Sequence, residues 1–172
     1  MIHWPNPEIP LDIAMPSLAK AKREGLARHI GVANFNTTLL DQAVNLCNEP
    51  LSVLQAEYHP YLDQTKLLAG ARKHGLAFVA HCPLARGRLF ADPVLLDVAK
   101  AHGRSVAQVA LRWLIQQNVV PIPFSSKPER VADNFDVFDF TLTDDEMKKI
   151  AALKRPNGRI VNPVERVTGG WD

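Results

Sequence analysis

The stretch Val53-Leu54-Gln55-Ala56-Glu57-Tyr58-His59 is a short apolar run that closes on polar residues. Four other segments have the same build and lie at residues 1–5, 29–34, 77–82 and 119–126. Helical patterns separate these segments, so strands and helices alternate along the chain. Strands that are joined through helices run parallel, and parallel α/β sheets bind their ligands at the carboxyl ends of the strands. We therefore expect the polar residue that closes each segment to lie in a ligand site.

The composition is that of a globular protein and points away from several classes of function. Hydrophobic residues make up 47% of the 172 residues, and the net charge is +2 with basic residues scattered along the chain. This distribution argues against a nucleic-acid partner and against a membrane surface. Cys47 and Cys82 stand in different repeat units without metal-ligand spacing, and no apolar stretch reaches membrane-spanning length. We expect a reduced, cytoplasmic protein without a metal site, and the sequence leaves the oligomeric state open.

Helix signals are clear in five places, and they predict helices near residues 11–24, 37–46, 64–74, 105–117 and 143–153. Capping boxes open the last two, at Ser105-Val106-Ala107-Gln108 and Thr143-Asp144-Asp145-Glu146. Asp63 is expected to cap the third helix. Pro16 predicts that the regular part of the first helix starts late, because proline removes a backbone donor from a helix interior.

Two architectures accommodate strands that alternate with helices: an open doubly wound sheet and part of an eight-stranded barrel. An open sheet that binds a dinucleotide usually carries G-x-G-x-x-G after its first strand, and this chain has no such motif. A complete barrel typically needs about 250 residues. The chain is therefore predicted to be α/β and to hold the C-terminal part of a (β/α)8 TIM barrel, strands 4 to 8 with their helices. No internal boundary suggests a second domain, so residues 1–172 are predicted to form one partial domain.

The strand ends carry motifs that match those of a known family. In chain order these motifs are Ile2-His3-Trp4-Pro5, Gly31-Val32-Ala33-Asn34-Phe35, Gln55-Ala56-Glu57-Tyr58-His59-Pro60-Tyr61, Pro83-Leu84-Ala85-Arg86-Gly87 and Ile122-Pro123-Phe124-Ser125-Ser126. Together they resemble the aldo-keto reductases over the whole chain, most closely the bacterial 2,5-diketo-D-gluconate reductase branch. The resemblance implies a (β/α)8 barrel that reduces carbonyl compounds with NADPH, without a metal or a bound flavin. Of that family's catalytic tyrosine, aspartate, lysine and histidine, only the histidine has a match here, at His3.

The first strand end supplies the substrate side of the implied site. Taken alone, His3 is an imidazole near a chain terminus that could be partly solvated and without a task. The resemblance gives it the role of donating a hydrogen bond to the substrate carbonyl and orienting it. Trp4 is implied to form an apolar wall of the substrate pocket, and a core tryptophan is the alternative.

The next strand ends are implied to hold the nicotinamide. Asn34 and Gln55 each carry a donor and an acceptor on one amide, which suits a carboxamide, although both could be amides that are satisfied within the barrel mouth. Ala33 stands where the family usually has a serine, which removes one hydrogen bond to that carboxamide. His81 occupies the position where the family places an aromatic ring against the nicotinamide, and a structural histidine is the alternative reading.

The loop after the fourth segment and the region after the fifth are implied to hold the rest of NADP. The resemblance assigns Leu84 and Arg86 to the pyrophosphate, with a solvated loop arginine as the alternative. It assigns the adenosine 2′-phosphate to Ser125, Ser126 and Arg130, and the adenine to Asp133 and Asn134. Helix capping is the alternative role for the two serines.

Phe124 departs from the family pattern, because many relatives have lysine at this position next to the 2′-phosphate. Lys127 is close enough in sequence to compensate for that lysine. The sequence therefore predicts NADP as the cofactor with a reduced preference over NAD.

These inferences favour the C-terminal part of an NADP-dependent aldo-keto reductase that acts on a small-molecule aldehyde or ketone, such as a diketo-gluconate or a methylglyoxal-type substrate. On this reading, catalysis is complete only with the missing N-terminal part. The alternative is a non-catalytic half-barrel that binds a nucleotide or a partner chain. A third reading is a truncated gene or a start codon assigned too late.

Overall fold

The computed structural model describes residues 1–163, 167 and 170–172 of the chain. Helices and strands alternate in it as the sequence predicts, with a short 3-10 turn at Ala85–Gly87. The elements are α1 Leu11–Arg23, β1 Gly31–Ala33, α2 Thr37–Leu46, β2 Val53–Glu57, α3 Thr65–Lys73, β3 Ala77–His81, α4 Pro93–His102, α5 Val106–Ile115, β4 Val119–Pro121, α6 Pro128–Phe135 and α7 Asp144–Ala151.

The strands form one sheet in the order β1-β2-β3-β4. β1 and β2 pair in parallel, with Gly31 opposite Val53 and Ala33 opposite Gln55. Gly31 is required by this pairing, because a Cβ atom there would lie 2.4 Å from the carbonyl oxygen of Val53. The prediction of an α/β fold with a parallel sheet is confirmed.

The first predicted strand is reduced to a single bridge. Ile2 pairs in parallel with Val32, donating its N–H to the Gly31 oxygen at 3.1 Å and accepting from the Ala33 N–H at 2.8 Å. Pro5 has no N–H to continue a ladder, so the strand predicted to end in residues 1–5 is present only as this bridge. The numbering of the strands as 4 to 8 of a barrel stays a prediction.

The chain forms two compact units, and the first comprises Met1–Ala56, Gln64–Val79 and Val161–Asp172. In this unit α1 packs on α2, and α2 packs on α3. Fully buried side chains fill its core, among them Met15, Phe35, Leu40, Leu54 and Leu67. Close-packed apolar burial of this kind is the main favourable term in folding.

The second unit comprises Glu57–Asp63 and Ala80–Ile160. Here α5 packs on α4, α6 and β4, and α4 also packs on α7. Its core includes the buried side chains of Leu89, Leu95, Leu111, Leu114 and Ile150. The interpretation of residues 1–172 as one partial domain stays a prediction.

Most of the predicted helix starts are confirmed by their caps. Asn36 accepts from the Leu39 N–H at 2.8 Å at the start of α2. The two capping boxes form as expected, Ser105 with Gln108 on α5 and Thr143 with Glu146 on α7. Polar caps of this type satisfy the donors that a helix leaves free in its first turn.

Two local predictions about helices were wrong. α1 runs through Pro16 as a regular helix from Leu11, so the proline removes one hydrogen bond without delaying the start. The cap position of α3 is taken by Gln64 and not by Asp63, whose carboxylate accepts from the Lys154 ammonium at 2.7 Å.

The helix α4 was missed, although its sequence carries the signals. Asp92 caps it by accepting from the Val94 N–H at 3.0 Å and the Leu95 N–H at 3.3 Å. Pro93 stands in the first turn and Gly103 ends the helix in the left-handed conformation, with a φ of 60°. Proline at the start and glycine just past the end are the usual pair of helix boundaries.

Candidate functional site

In the first unit, the structure brings together three of the predicted site residues at the carboxyl end of β1. Asn34 follows β1 directly, and its backbone N–H donates to the backbone carbonyl oxygen of Gln55 at 2.7 Å. The Asn34 side chain is buried, and its Nδ2 donates to the His3 carbonyl oxygen at 2.9 Å. Asn34 adopts a φ of 61°, a left-handed conformation that asparagine tolerates better than most residues. The amide of Asn34 therefore fixes the backbone that carries His3.

The aromatic residues next to this point form a wall. The rings of His3 and Trp4 lie nearly parallel, 13° apart, with centroids separated by 6.4 Å. Trp4 also meets Trp171 edge to face at 6.2 Å, and the Trp171 Nε1 donates to the Asn162 Oδ1 at 2.7 Å. His3 is exposed and Trp4 is half-buried, so both offer surface to a ligand.

The described end of the chain is fastened to the start of α2. The Asp172 carboxylate accepts from the Thr37 N–H at 2.9 Å and from the Thr37 hydroxyl, and Asn36 Nδ2 donates to the Gly170 oxygen at 2.7 Å. A carboxylate at a helix N-terminus is favourable because the first N–H groups and the helix dipole both attract negative charge. These contacts hold the segment that carries Trp171, and the sequence alone did not predict them.

In the second unit, β3 ends on two residues that the sequence singled out. His81 is the last residue of β3 and is half-buried. Burial raises the pKa of the Cys82 thiol and the Glu57 carboxylate raises it further, against an opposing hydrogen bond from Arg86. A thiol with a raised pKa holds less of the nucleophilic thiolate at neutral pH.

The loop after β3 has an unusual backbone. Cys82, Ala85 and Arg86 have φ values of 51°, 48° and 52°, and Gly87 follows with 86°. The turn is closed by hydrogen bonds from the Ala85 N–H to the Cys82 oxygen at 2.9 Å and from the Gly87 N–H to the Leu84 oxygen at 2.8 Å. Left-handed conformations at non-glycine residues cost energy and concentrate in ligand clamps and active sites. The loop that the resemblance assigns to the pyrophosphate therefore holds three non-glycine residues in the left-handed region.

The largest cavity described lies in the second unit and has a volume of about 570 Å³. Its walls come from the loop after β3, the start of α5, the segment after β4 and α6; the lining residues are Leu84, Arg86, Gly87, Phe90, Ser105, Val106, Ala107, Phe124, Ser125, Arg130, Asp133 and Asn134. A volume between about 300 and 1,000 Å³ is usual for pockets that bind small molecules or cofactors. Two guanidinium groups against one carboxylate give the lining a net positive charge, which suits an anionic ligand.

Six of the residues predicted to bind the cofactor line this cavity: Leu84, Arg86, Ser125, Arg130, Asp133 and Asn134. The three on α6 are spaced at i, i+3 and i+4, which places them on one face of that helix. Ser126 is exposed and lies outside the described lining.

Ser125 also has a structural task. Its hydroxyl accepts from the Lys127 N–H at 3.1 Å in the turn before α6, while the cap position of that helix is taken by Lys127 and not by a serine.

Sequence reasoning did not find every residue of the cavity. Phe90 and the first residues of α5 enter it through tertiary packing, and only the capping box at Ser105 gave a local signal that a helix starts there. Phe124 was noted as a departure from the family pattern, and it is 92% exposed.

A buried polar pair lies in the second unit outside this cavity. The Glu57 Oε1 and the His59 Nε2 are 2.9 Å apart, both side chains are buried, and Glu57 also accepts from the Ile160 N–H at 2.7 Å. The His59 Nδ1 is buried without a hydrogen-bond partner among the described residues. The pair fastens residue 160 to the end of β2, and its burial gives no access to a substrate.

Residues 1–163, 167 and 170–172 hold neither a cluster of metal ligands nor a membrane-spanning helix. No group of three His, Cys, Asp or Glu side chains there could hold a metal ion. None of the helices in the same residues is long and apolar enough to cross a bilayer.

The fold and the cavity together define a parallel α/β protein with a cationic site of nucleotide size beyond the strand ends. Residues 1–155 match the model of the aldo/keto reductase family, and the chain belongs to that family. The resemblance noted in the sequence is thereby confirmed.

Individual relatives agree with this assignment. The chain is 40% identical to aldo-keto reductase family 1 member A1 of Xenopus tropicalis over 163 residues. The aligned region covers 89% of this chain and 50% of that protein. It superposes with a TM-score of 0.95 on a crystal structure assigned as a 2,5-diketo-D-gluconic acid reductase B, at 43% identity over 99% of this chain and 60% of that one. A variant of Gox0644 in complex with NADPH is also similar, with a TM-score of 0.87, 34% identity and coverages of 93% and 59%. The chain thus spans 50% of that curated relative and 60% of the first of these solved structures.

Proposed function

We propose that this chain is the cofactor-binding and carbonyl-orienting part of an NADPH-dependent aldo-keto reductase, corresponding to strands 4 to 8 of a (β/α)8 barrel. The observation that carries the proposal is the cationic cavity of about 570 Å³ that six of the predicted cofactor residues line. The substrate is a small aldehyde or ketone, of the diketo-gluconate or methylglyoxal type.

The first unit supplies the groups for the reacting end. His3 donates a hydrogen bond to the substrate carbonyl and orients it, and Trp4 forms an apolar wall beside it. Asn34 and Gln55 hold the carboxamide of the nicotinamide. The hydrogen bond from the Asn34 Nδ2 to the His3 carbonyl oxygen supports the role of His3, since it fixes the position of His3 against the end of β1.

The resemblance assigns the remaining residues to the ring face and to the phosphate-bearing parts of NADP. His81 faces the nicotinamide ring, and Leu84 and Arg86 contact the pyrophosphate. Ser125, Ser126 and Arg130 hold the 2′-phosphate, while Asp133 and Asn134 hold the adenine. The donor set fits the group, because guanidinium and hydroxyl donors match phosphate oxygens and paired donors and acceptors match the edge of a base. When bound, the cofactor supplies a hydride for carbonyl reduction.

The proton donor of the reaction has no candidate among the tyrosines of this chain. The Tyr58 hydroxyl donates to the Gln117 Oε1 at 2.8 Å, and the Tyr61 hydroxyl donates to the Asp92 Oδ2 at 2.8 Å. Both side chains are buried, and neither matches the family's catalytic tyrosine. Reduction therefore needs a polypeptide that contributes that tyrosine, and a non-catalytic half-barrel that binds a nucleotide is the second candidate function.

Two measurements test the proposal. Nuclear magnetic resonance of the ¹⁵N-labelled chain titrated with NADPH should shift the backbone amides of Leu84, Arg86, Arg130 and Asn134. Assays of NADPH oxidation with methylglyoxal and with 2,5-diketo-D-gluconate should show no turnover for the chain alone. Turnover should appear when the N-terminal part of the solved relative at 43% identity is joined to it. Shifts without turnover in that chimera would favour the half-barrel, and no shifts in the cavity would contradict both functions.

A further inference from the structure

Two phenyl rings line the cofactor cavity without a part in the proposed set of contacts. Phe90 is 49% exposed and Phe124 is 92% exposed, and both contribute to the same walls as Arg130. A cavity wall that presents aromatic faces beside charged groups suits a ligand with a flat ring and a phosphate.

Gly87 lies beside the Phe90 ring. A Cβ atom on Gly87 would be 3.6 Å from the Phe90 Cε2, which is an ordinary van der Waals distance. Phe124 stands next to Ser125 and therefore close to the start of α6, which presents Arg130 and Asn134 to the cavity.

The phenyl and guanidinium groups of this cavity recognise different parts of a nucleotide. A phenyl ring offers a face to any purine, and stacking of a base on an aromatic side chain does not depend on phosphate groups at the ribose. A guanidinium group reads a phosphate through charge and paired hydrogen bonds. A site with both elements binds adenine nucleotides in general and gains only part of its affinity from the 2′-phosphate.

We propose that Phe124 stacks on the adenine ring of the cofactor, so that it strengthens NADPH and NADH binding equally while Arg130 and its serine neighbours read the 2′-phosphate. This inference rests on the proposed function, because it assigns the cavity to the adenosine end of NADP. It makes Phe124 a determinant of dual cofactor use, where a lysine at this position would favour the phosphorylated form.

The test compares 5′-AMP with adenosine 2′,5′-bisphosphate, which differ only by the 2′-phosphate, in calorimetric titrations of the 172-residue chain. Phe124→Ala should weaken both nucleotides by the same factor, about fivefold to a hundredfold. Phe124→Trp should restore binding, and its added fluorescence should be quenched by either nucleotide. Arg130→Ala should weaken only the bisphosphate.

Phe138 provides a matched control, because it is also a well exposed phenylalanine, at 63%, and it lies outside the lining of this cavity. Phe138→Ala should leave both affinities unchanged. If Phe124→Ala leaves 5′-AMP binding unchanged while Arg130→Ala still weakens the bisphosphate, stacking by Phe124 is wrong and the proposed function stands. A change in self-association without a change in binding would assign Phe124 to a protein contact and overturn the inference. Failure of the unsubstituted chain to bind either nucleotide would overturn both the inference and the proposed function.

Discussion

The side-chain amide of Asn34 donates a hydrogen bond of 2.9 Å to the carbonyl oxygen of His3. The two residues are 31 positions apart in sequence, and Asn34 is only 2% exposed. Breaking a partly buried hydrogen bond of this kind costs stability, because the remaining acceptor loses its partner. The bond therefore sets the position of His3 relative to the carboxyl end of β1.

Substitutions at Asn34 should destabilise the chain in a graded manner. Asn34→Ala removes the amide and places alanine, which tolerates the left-handed region less well than asparagine, at a φ of 61°. We therefore expect a loss of about 1–3 kcal/mol in the free energy of unfolding. Asn34→Gly removes the same amide but relieves the backbone, and it should be less destabilising by up to about 1 kcal/mol. Urea denaturation measures both values. Equal and negligible losses for the two variants would show that the amide does not hold His3.

His81 gives a test of the nicotinamide position. In the completed enzyme, His81→Tyr should preserve or improve NADPH binding, because tyrosine offers a larger aromatic face to the ring. His81→Ala should weaken binding by about 0.5–1.5 kcal/mol, the usual contribution of an aromatic pair. Fluorescence titration of NADPH at neutral pH measures the difference. If both variants match the unsubstituted protein, His81 lies outside the cofactor site.

The contact between α4 and α7 should make stability depend on pH. Burial raises the pKa of the Glu146 carboxyl, but hydrogen bonds from Thr143 and from His102 at 2.9 Å outweigh it and leave the pKa below its usual value. A carboxyl with a lowered folded-state pKa contributes stability above its unfolded pKa, and that contribution is lost as the pH falls through the folded pKa. We expect the melting temperature to fall on acidification below the usual carboxyl pKa.

Glu146→Gln should flatten the acid limb of that melting curve, because it removes the titrating group. Asp145→Asn is the control, since the Asp145 side chain is 73% exposed in its ion pair with Lys149. Exposed ion pairs contribute little to stability. Identical acid limbs for Glu146→Gln and the unsubstituted chain would contradict this role of Glu146.

The end strand of the sheet should drive self-association of the isolated chain. β4 is the last strand in the sheet order, and a cavity of about 430 Å³ beside it is lined by ten apolar residues and Asn134. Val120 on β4 is 52% exposed. Open, apolar edge strands pair readily with other chains, and natural proteins block them with lysine.

Val120→Lys should therefore shift the chain toward the monomer in analytical ultracentrifugation. Leu26→Lys is the matched control, because Leu26 is 77% exposed and lies outside the residues that line this cavity. An equal effect of the two lysines would mean that added charge, and not the strand edge, governs association.

Sequence reasoning succeeded where the signal was local. The apolar runs that close on Asn34 and His81 predicted strand ends, and the capping box at Ser105 predicted the start of α5. Tertiary contacts were beyond it. Phe90 enters the cavity through packing, and Asp172 meets the N-terminus of α2 across 135 residues, so neither placement leaves a pattern in sequence. Pro16 does not delay the start of α1, because the burial of Met15 and Ala19 outweighs one lost hydrogen bond.

The affinity ratio of NADPH to NADH, measured with Arg130→Ala and Arg130→Lys beside the unsubstituted chain, tests the central claim most directly. Charge-assisted hydrogen bonds contribute about 1.5–3 kcal/mol, so Arg130 should give NADPH an advantage of about tenfold to a hundredfold. Arg130→Ala should remove that advantage and leave NADH binding nearly unchanged, while Arg130→Lys should retain part of it, because lysine keeps the charge and loses the paired geometry. Equal losses for both cofactors on removal of Arg130 would contradict the account, since the residue would then support the cavity without reading the phosphate.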